Sequence, residues 1–308
     1  MTPRSLRRPA LVLVLGLVLG ATPALADLPG FTFLEVPAGA RAAAMGGAYT
    51  SLAHGAEAVF WNPAGLVDVK GFEITGSHVE YFQQLRHEQF ALGLPAGPGG
   101  IAASVRAMYT EPIVSRDDLG NETGTFGSHD LEFALGYGFR TSERVRMGVT
   151  AQVVRERIED LAATTFAFGA GVTWDPAAIH GLRLALSGHN LGKSAHYEID
   201  GVQGAAVPLP MAVQAGGSYG GSVGGAWQAR GALETRLTTG RTGIVMLGGE
   251  VAHSSGAALR AGWRWNDDAT GFSAGAGYAL GRVQLDYAFV PFKLDLGDTH
   301  RISIAATF

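Results

Sequence analysis

Two Gly-x-Ser-x-Gly stretches, Gly216-Gly217-Ser218-Tyr219-Gly220 and Gly271-Phe272-Ser273-Ala274-Gly275, carry the residue pattern that could present a nucleophile. A serine elbow needs a strand that turns sharply into a helix. Both stretches lie inside alternating strand patterns, where Gly and Ser are small filler. With 45 Gly in 308 residues, chance matches are expected. The nine His show no metal-binding spacing. His129 and His300 fall near strand starts, as loop or interfacial polarity. Gly275, Gly277 and Gly281 have the wrong third spacing for a dinucleotide loop. Asp117, Asp118 and Glu122 could meet a divalent cation, as could Asp267 and Asp268, but they read as solvated loop tips. The chain has no Cys, which removes disulfides, thiolate metal sites and Cys nucleophiles. The sequence points to no enzyme, no metal and no cofactor.

The more informative polar residues are isolated charges within apolar stretches. Asp130, Glu132, Arg146, Arg183, Arg230, Glu234, Arg260, Arg264, Asp286 and Arg301 each alternate with apolar neighbours. An Arg that faced lipid at the bilayer midplane would cost about 2–4 kcal/mol. On a membrane barrel these side chains must therefore point into the lumen. There they can pair with one another and satisfy the backbone of whatever fills it. A permeation path opened by movement of that filling is the alternative use.

The elements that would hold them follow from period-two alternation. Leu131, Phe133, Leu135, Tyr137 and Phe139 share one face, against Asp130, Glu132, Ala134, Gly136, Gly138 and Arg140. A soluble sandwich would put Lys, Glu and Thr on its second face. Here that face is mostly Gly, Ala, Ser, Thr and Gln, which suits a lumen that contains something, while the aromatics suit a lipid-facing band. Fourteen strands are expected at about 72–82, 86–95, 99–109, 129–140, 144–155, 164–174, 181–189, 210–220, 224–236, 242–252, 257–266, 270–280, 281–290 and 299–308. The number is even and the lengths suit tilted membrane strands. Alternation is weakest in the first two. Joins 110–128, 156–163 and 190–209 are long, and those after strands 2, 4, 8 and 12 are short. This is the outer-membrane pattern, and it places both termini in the periplasm. The fold class is thus all-β, a transmembrane antiparallel barrel.

Three segments result. Residues 1–26 read as a cleaved signal peptide: Arg4, Arg7 and Arg8 precede an apolar run from Ala10 to Gly20 and an Ala24-Leu25-Ala26 cleavage site. Residues 27–70 do not alternate and form an N-terminal plug. Small-residue, partly helical Gly39–Ala48 leads there to Phe60-Trp61-Asn62-Pro63-Ala64-Gly65-Leu66, where Pro63 ends any helix and biases Asn62 to an extended conformation. Residues 71–308 are the barrel. Nucleic-acid binding is excluded by a net charge of −4 without basic clusters.

The stretch Gly39–Leu66, with its A-R-A-A-A-M-G-G-A core and W-N-P-A-G-L end, resembles PorV/PorQ-type outer-membrane proteins, relatives of the FadL channel. His189-Asn190-Leu191-Gly192, Leu209-Pro210, Leu259-Arg260-Ala261-Gly262-Trp263, Asp286-Tyr287-Ala288-Phe289 and Leu296–Arg301 extend the resemblance over nearly the whole mature chain. It implies a FadL-like barrel with a lumenal hatch marked by Trp61, Asn62, Pro63, Ala64 and Gly65. It also implies that Phe308 is the terminal aromatic read by the barrel-assembly machinery. Expected partners are outer-membrane lipids, that machinery and, for a PorV/PorQ-type protein, secreted cargo and components of type IX secretion. Loops 110–128 and 190–209 would then be docking surfaces. The alternative is a FadL-like passive channel for hydrophobic compounds such as long-chain fatty acids. Loop 110–128 is polar, but an apolar groove at Ala205, Ala206, Val207 and Leu209 would favour the channel.

Overall fold

The computed structural model describes residues 28–81, 85–199, 202–293 and 297–308. The leader read at residues 1–26 lies outside the described residues, as does Asp27. Alternation becomes a closed, fully antiparallel barrel of fourteen strands. Its wall is β1 (Glu73–Glu80), β2 (Arg86–Ala96), β3 (Gly99–Tyr109), β6 (Ser128–Arg140), β7 (Val145–Ile158), β8 (Leu161–Trp174) and β9 (Leu182–Gly192). It continues with β12 (Ala212–Gly224), β13 (Trp227–Thr238), β14 (Ile244–His253), β15 (Ala257–Trp265), β16 (Phe272–Leu280), β17 (Val283–Pro291) and β18 (Asp298–Thr307). Strand β1 closes the ring on β18 with Glu73 opposite Thr307 and Glu80 opposite His300.

The two faces are inverted relative to a soluble sheet. On β6, Phe133 and Leu135 are 57% and 61% exposed, whereas Glu132 and Ala134, which alternate with them, are 1% and 5% exposed. The same sense holds on β8, with Phe166 and Phe168 outside and Ala163 and Ala167 buried. Apolar groups on the outside and polar groups within is the membrane arrangement, since lipid solvates the former and cannot solvate the latter.

The joins depart from expectation in two ways. The join expected at 156–163 shrinks to Glu159 and Asp160, because β7 and β8 pair as far as Ile158 opposite Leu161. The other two long joins are folded. Residues 110–128 contain the hairpin β4 (Ile113–Arg116) and β5 (Glu122–Phe126), and residues 190–209 contain β10 (Ala195–Ile199) and β11 (Val202–Val207). Asp117 closes the first hairpin: its Oδ1 accepts the backbone N–H of Leu119 at 2.9 Å and of Asn121 at 2.8 Å. That carboxylate is a turn former. On the second hairpin Leu209 is buried, with Ala205 and Ala206 exposed. Leu209 packs with Ala195, Phe31, Phe33 and Leu34, so it covers the first residues of the plug and does not join Ala205 and Ala206 on the surface.

The lumen is filled by residues 28–70. Two short helices, Ala40–Ala44 and Ala58–Trp61, and two tight turns, Thr32–Glu35 and Pro63–Asp68, fold back on one another. Met45, Tyr49, Val59, Trp61 and Leu66 form their core, each at most 4% exposed. The segment crosses the barrel from end to end. Gly30 donates to the Pro208 carbonyl and Phe31 to Glu156, both at the mouth that carries the hairpins. Leu66 and Val67 reach Gly100 and Gly138, near the short-turn mouth. The expectation that both termini share one side falls, for the N-terminus, outside the described residues. Phe308 ends at the short-turn mouth, bonded to Phe72, while the described chain begins at the other. One segment that both fills the lumen and enters β1 from the short-turn side must traverse the barrel.

Candidate functional site

The hatch ends in the motif read from sequence, and its geometry follows from proline chemistry. The helix Ala58–Trp61 stops before Pro63, and Asn62 is extended, with φ −155° and ψ 105°. Its Oδ1 accepts from the Ala64 N–H at 3.1 Å, which caps the following turn. Its Nδ2 donates to the Thr50 carbonyl at 3.2 Å and to the Val172 carbonyl of β8 at 3.4 Å. The wall meets this corner with glycine. A methyl group on Gly148 or Gly138 would overlap the Pro63 carbonyl, and one on Gly171 would overlap the Asn62 amide. Gly65 sits against the Ala53 carbonyl in the same way. Trp61 anchors the motif by donating its Nε1–H to the Ala38 carbonyl at 3.0 Å.

Inward charges clamp the rest of the hatch. Arg41, on the helix Ala40–Ala44, makes a two-pronged bond to Glu250 of β14, both contacts at 2.9 Å. Arg260 bridges Glu250 and Asp286 at 2.7 Å each, and Arg230 lies 4.0 Å from Glu250 at the short-turn mouth. Glu234 accepts from the Thr50 N–H (3.0 Å), the Ser51 N–H (2.8 Å) and the Ser51 hydroxyl (2.7 Å). Arg264 donates to the Gly46 carbonyl at 2.7 Å and pairs with Asp267 at 2.8 Å. Arg301 donates to the Pro37 carbonyl at 3.3 Å. Glu132 pairs with Arg106 at 3.1 Å. Asp130 stands opposite Glu156, which holds the Phe31 N–H. Arg146 reaches Asp175, which also holds Arg183. The structure thus brings Glu234, Arg260, Arg264, Arg301 and Asp286 to the hatch or its clamp, sets Arg146 3.9 Å from Asp68 at the end of the hatch, and leaves Arg183 and Arg230 at the short-turn rim.

Several residues of the hatch, its clamp and the cavity above it were not singled out from the sequence: Arg41, Gln89, Glu250, Arg106 and Arg236. Glu250 and Arg236 share the face parity that identified Arg230 and Glu234, so the signal was present. Ser273 is the serine of one Gly-x-Ser-x-Gly stretch. Its hydroxyl accepts from Gly46 N–H at 3.1 Å and donates to the Ala44 carbonyl at 3.0 Å. Ser218, in the other stretch, is buried within β12. A Ser–His pair does form: Ser187 Oγ is 2.7 Å from His189 Nε2. Ser187 is 1% exposed and its hydroxyl is 3.5 Å from that of Thr50, so it contacts the hatch and leaves no room for a substrate. Among the described residues no three His, Asp or Glu side chains gather as metal ligands.

On the hairpin side, the hatch leaves a cavity of about 630 Å³. Trp61, Gly46 and Gly47 form its floor. Met246, Ile244, Val290 and Phe292 line its apolar wall, and Arg236, Arg241, Arg264 and Arg301 its polar one. Asp267, on the rim loop between β15 and β16, sets the loop's acid limit. Burial raises its pKa, but the adjacent Arg264 and the N–H groups of Thr270 and Ala269 outweigh this and hold it below the ordinary 3.8. The folded value lies below the unfolded one, so its contribution is complete above the ordinary value and is lost as pH falls through the folded value. Carbon-detected titration should find Asp267 titrating below an ordinary aspartate. Arg264→Gln should move its titration upward.

No protein-family model matches the sequence, and no curated protein matches it. Solved structures do. CymD, a monoaromatic hydrocarbon channel, superposes with a TM-score of 0.60 at 13% identity, over 88% of this chain and 97% of that one. The toluene transporter TodX of Pseudomonas putida superposes at 0.57 and 14% identity, over 92% and 98%. A FadL homologue of Pseudomonas aeruginosa superposes at 0.51 and 13%, over 87% and 97%. The fold is FadL-like. At these identities the comparison concerns architecture, and function must come from the site.

Proposed function

We propose that this chain is an outer-membrane channel for hydrophobic compounds, plugged by its own N-terminal segment. The cavity of about 630 Å³ carries this reading: it opens on the hairpin side, has an apolar wall and ends on the hatch at Trp61. A solute partitions from water onto that wall, gaining about 25 cal/mol per Å² of apolar surface removed from water. Its passage requires the hatch corner at Asn62-Pro63 to move. The corner is suited to movement because it rests on bare glycines, and its fixed contacts are a few hydrogen bonds. The structural neighbours named as hydrocarbon and toluene channels support the same reading.

The type IX secretion role rests on the order of sequence motifs alone. It makes no use of the cavity, and for that reason the channel is our reading. Purified protein in liposomes should accelerate entry of radiolabelled toluene severalfold over protein-free vesicles. Equal entry rates would sink the proposal. A secretome that loses proteins sharing a C-terminal domain on gene deletion would restore the secretion role.

A further inference from the structure

The outer cavity holds two guanidinium groups, those of Arg236 and Arg301, that have no ion pair of their own among the described residues. Of its four arginines, Arg241 pairs with Glu35 at 2.7 Å and Arg264 with Asp267 at 2.8 Å. The remaining lining acid, Asp268, is exposed on the rim. Arg301 is 2% exposed. It bonds only neutral groups, the Pro37 carbonyl and the Tyr81 hydroxyl, and its Nε has no partner. Arg236 forms no ion pair within 4.0 Å among the described residues, and the carboxylate that acts on it, that of Glu35, is already held by Arg241. Arg236 lines the cavity together with Trp61 and Arg264. Every other inward Arg of the hatch clamp has a carboxylate beside it. An uncompensated cation away from bulk water is costly, and a bound anion offsets that cost.

The cavity also constrains the body attached to such an anion. Its apolar lining includes Trp61, Met246, Ile244, Val290 and Phe292, with the polar groups of Gln214 and Thr238 among them. Its floor is closed. An extended acyl chain needs a long uninterrupted apolar groove. A compact ring needs one apolar patch and tolerates polar neighbours.

We propose that this cavity binds compact hydrophobic carboxylates, aryl acids of about the size of benzoate, with Arg236 and Arg301 as its specificity-determining residues. The inference rests on the channel reading for its biological use, but not for its binding chemistry. A guanidinium–carboxylate contact is charge-assisted and fork-shaped, and a neutral isostere cannot reproduce it.

The test uses the whole mature protein in lipid nanodiscs. Radiolabelled benzoate is bound by equilibrium dialysis and competed with benzamide, its neutral isostere, and with palmitate. Benzoate should bind about 10-fold more tightly than benzamide. Arg236→Gln, which breaks no ion pair, should bring that ratio near one. Arg116→Gln, in the exposed hairpin pair with Glu122, should leave it unchanged. Equal affinity for benzoate and benzamide overturns the inference, as does a ratio that survives Arg236→Gln or tighter binding of palmitate. Toluene entry into liposomes, measured in parallel, separates the two claims. Toluene entry without benzoate preference removes the inference and keeps the channel. Benzoate preference without entry of any compound keeps the site and removes the channel.

Discussion

Replacing Gly148 with Val should push the hatch off its seat. The new side chain would occupy the space of the Pro63 carbonyl and the Ala64 N–H, which are backbone atoms and cannot rotate away. Overpacking of this kind costs about 1–3 kcal/mol. The wall strand is held by its ladder to β6 and β8, so the hatch is the part that yields. The expected results are raised single-channel conductance in planar bilayers and faster proteolysis within residues 28–70, with a barrel that still resists heat. Gly249→Val on β14 is the control, because nothing lies within 4 Å of its added carbon. Unchanged conductance and proteolysis in Gly148→Val would mean that the Asn62-Pro63 corner does not seal the lumen.

Removing Glu250 should have the largest effect on stability. Its carboxylate is 6% exposed and joins Arg41 of the hatch to Arg260 of the wall. Glu250→Ala leaves Arg41 without its carboxylate partner and Arg260 with Asp286 alone. Breaking a buried pair on one side costs about 3–5 kcal/mol, because the surviving charge stays buried. An exposed pair such as Arg116 and Glu122 contributes about 1 kcal/mol or less. Urea unfolding in bilayers should therefore show a large loss for Glu250→Ala and almost none for Glu122→Ala. Equal losses would show that the clamp does not hold the hatch.

The barrel was legible because every wall strand must sort its residues between lipid and lumen, and that sorting repeats every second residue. The fourteen expected strands and the fourteen observed agree in order, with ends displaced by a few residues. The first two strands were the weakest reading; on β1, Gly76 replaces an apolar group on the outer face, and His78 and Glu80 lie on that face as well. The two hairpins were missed because short loop strands lack a lipid face to impose alternation.

The site was less legible. The corner at Asn62-Pro63 showed itself locally, through proline. Its partners did not, because they lie far along the chain: Arg41 and Glu250 are 209 residues apart, and Ala44 and Ser273 are 229 apart. Glycine abundance could be read as small filler in a lumen that holds something. Which glycines touch the hatch depends on barrel closure. Arg236 was passed over although it shares a face with Arg230 and Glu234, because nothing in one sequence distinguishes a paired arginine from an unpaired one.

The central claim is that hydrophobic solutes cross only when the hatch moves, and a reversible tether tests it directly. The chain has no Cys, so an introduced pair forms the one possible intramolecular disulfide. Thr50 of the hatch and Ser187 of β9 have their hydroxyl oxygens 3.5 Å apart, which suits a Thr50→Cys, Ser187→Cys bridge. Toluene entry into liposomes should fall to the protein-free rate when the bridge is oxidised and recover on reduction. Equal entry in the two states would contradict the account, because solute would then be crossing with the hatch fixed in place.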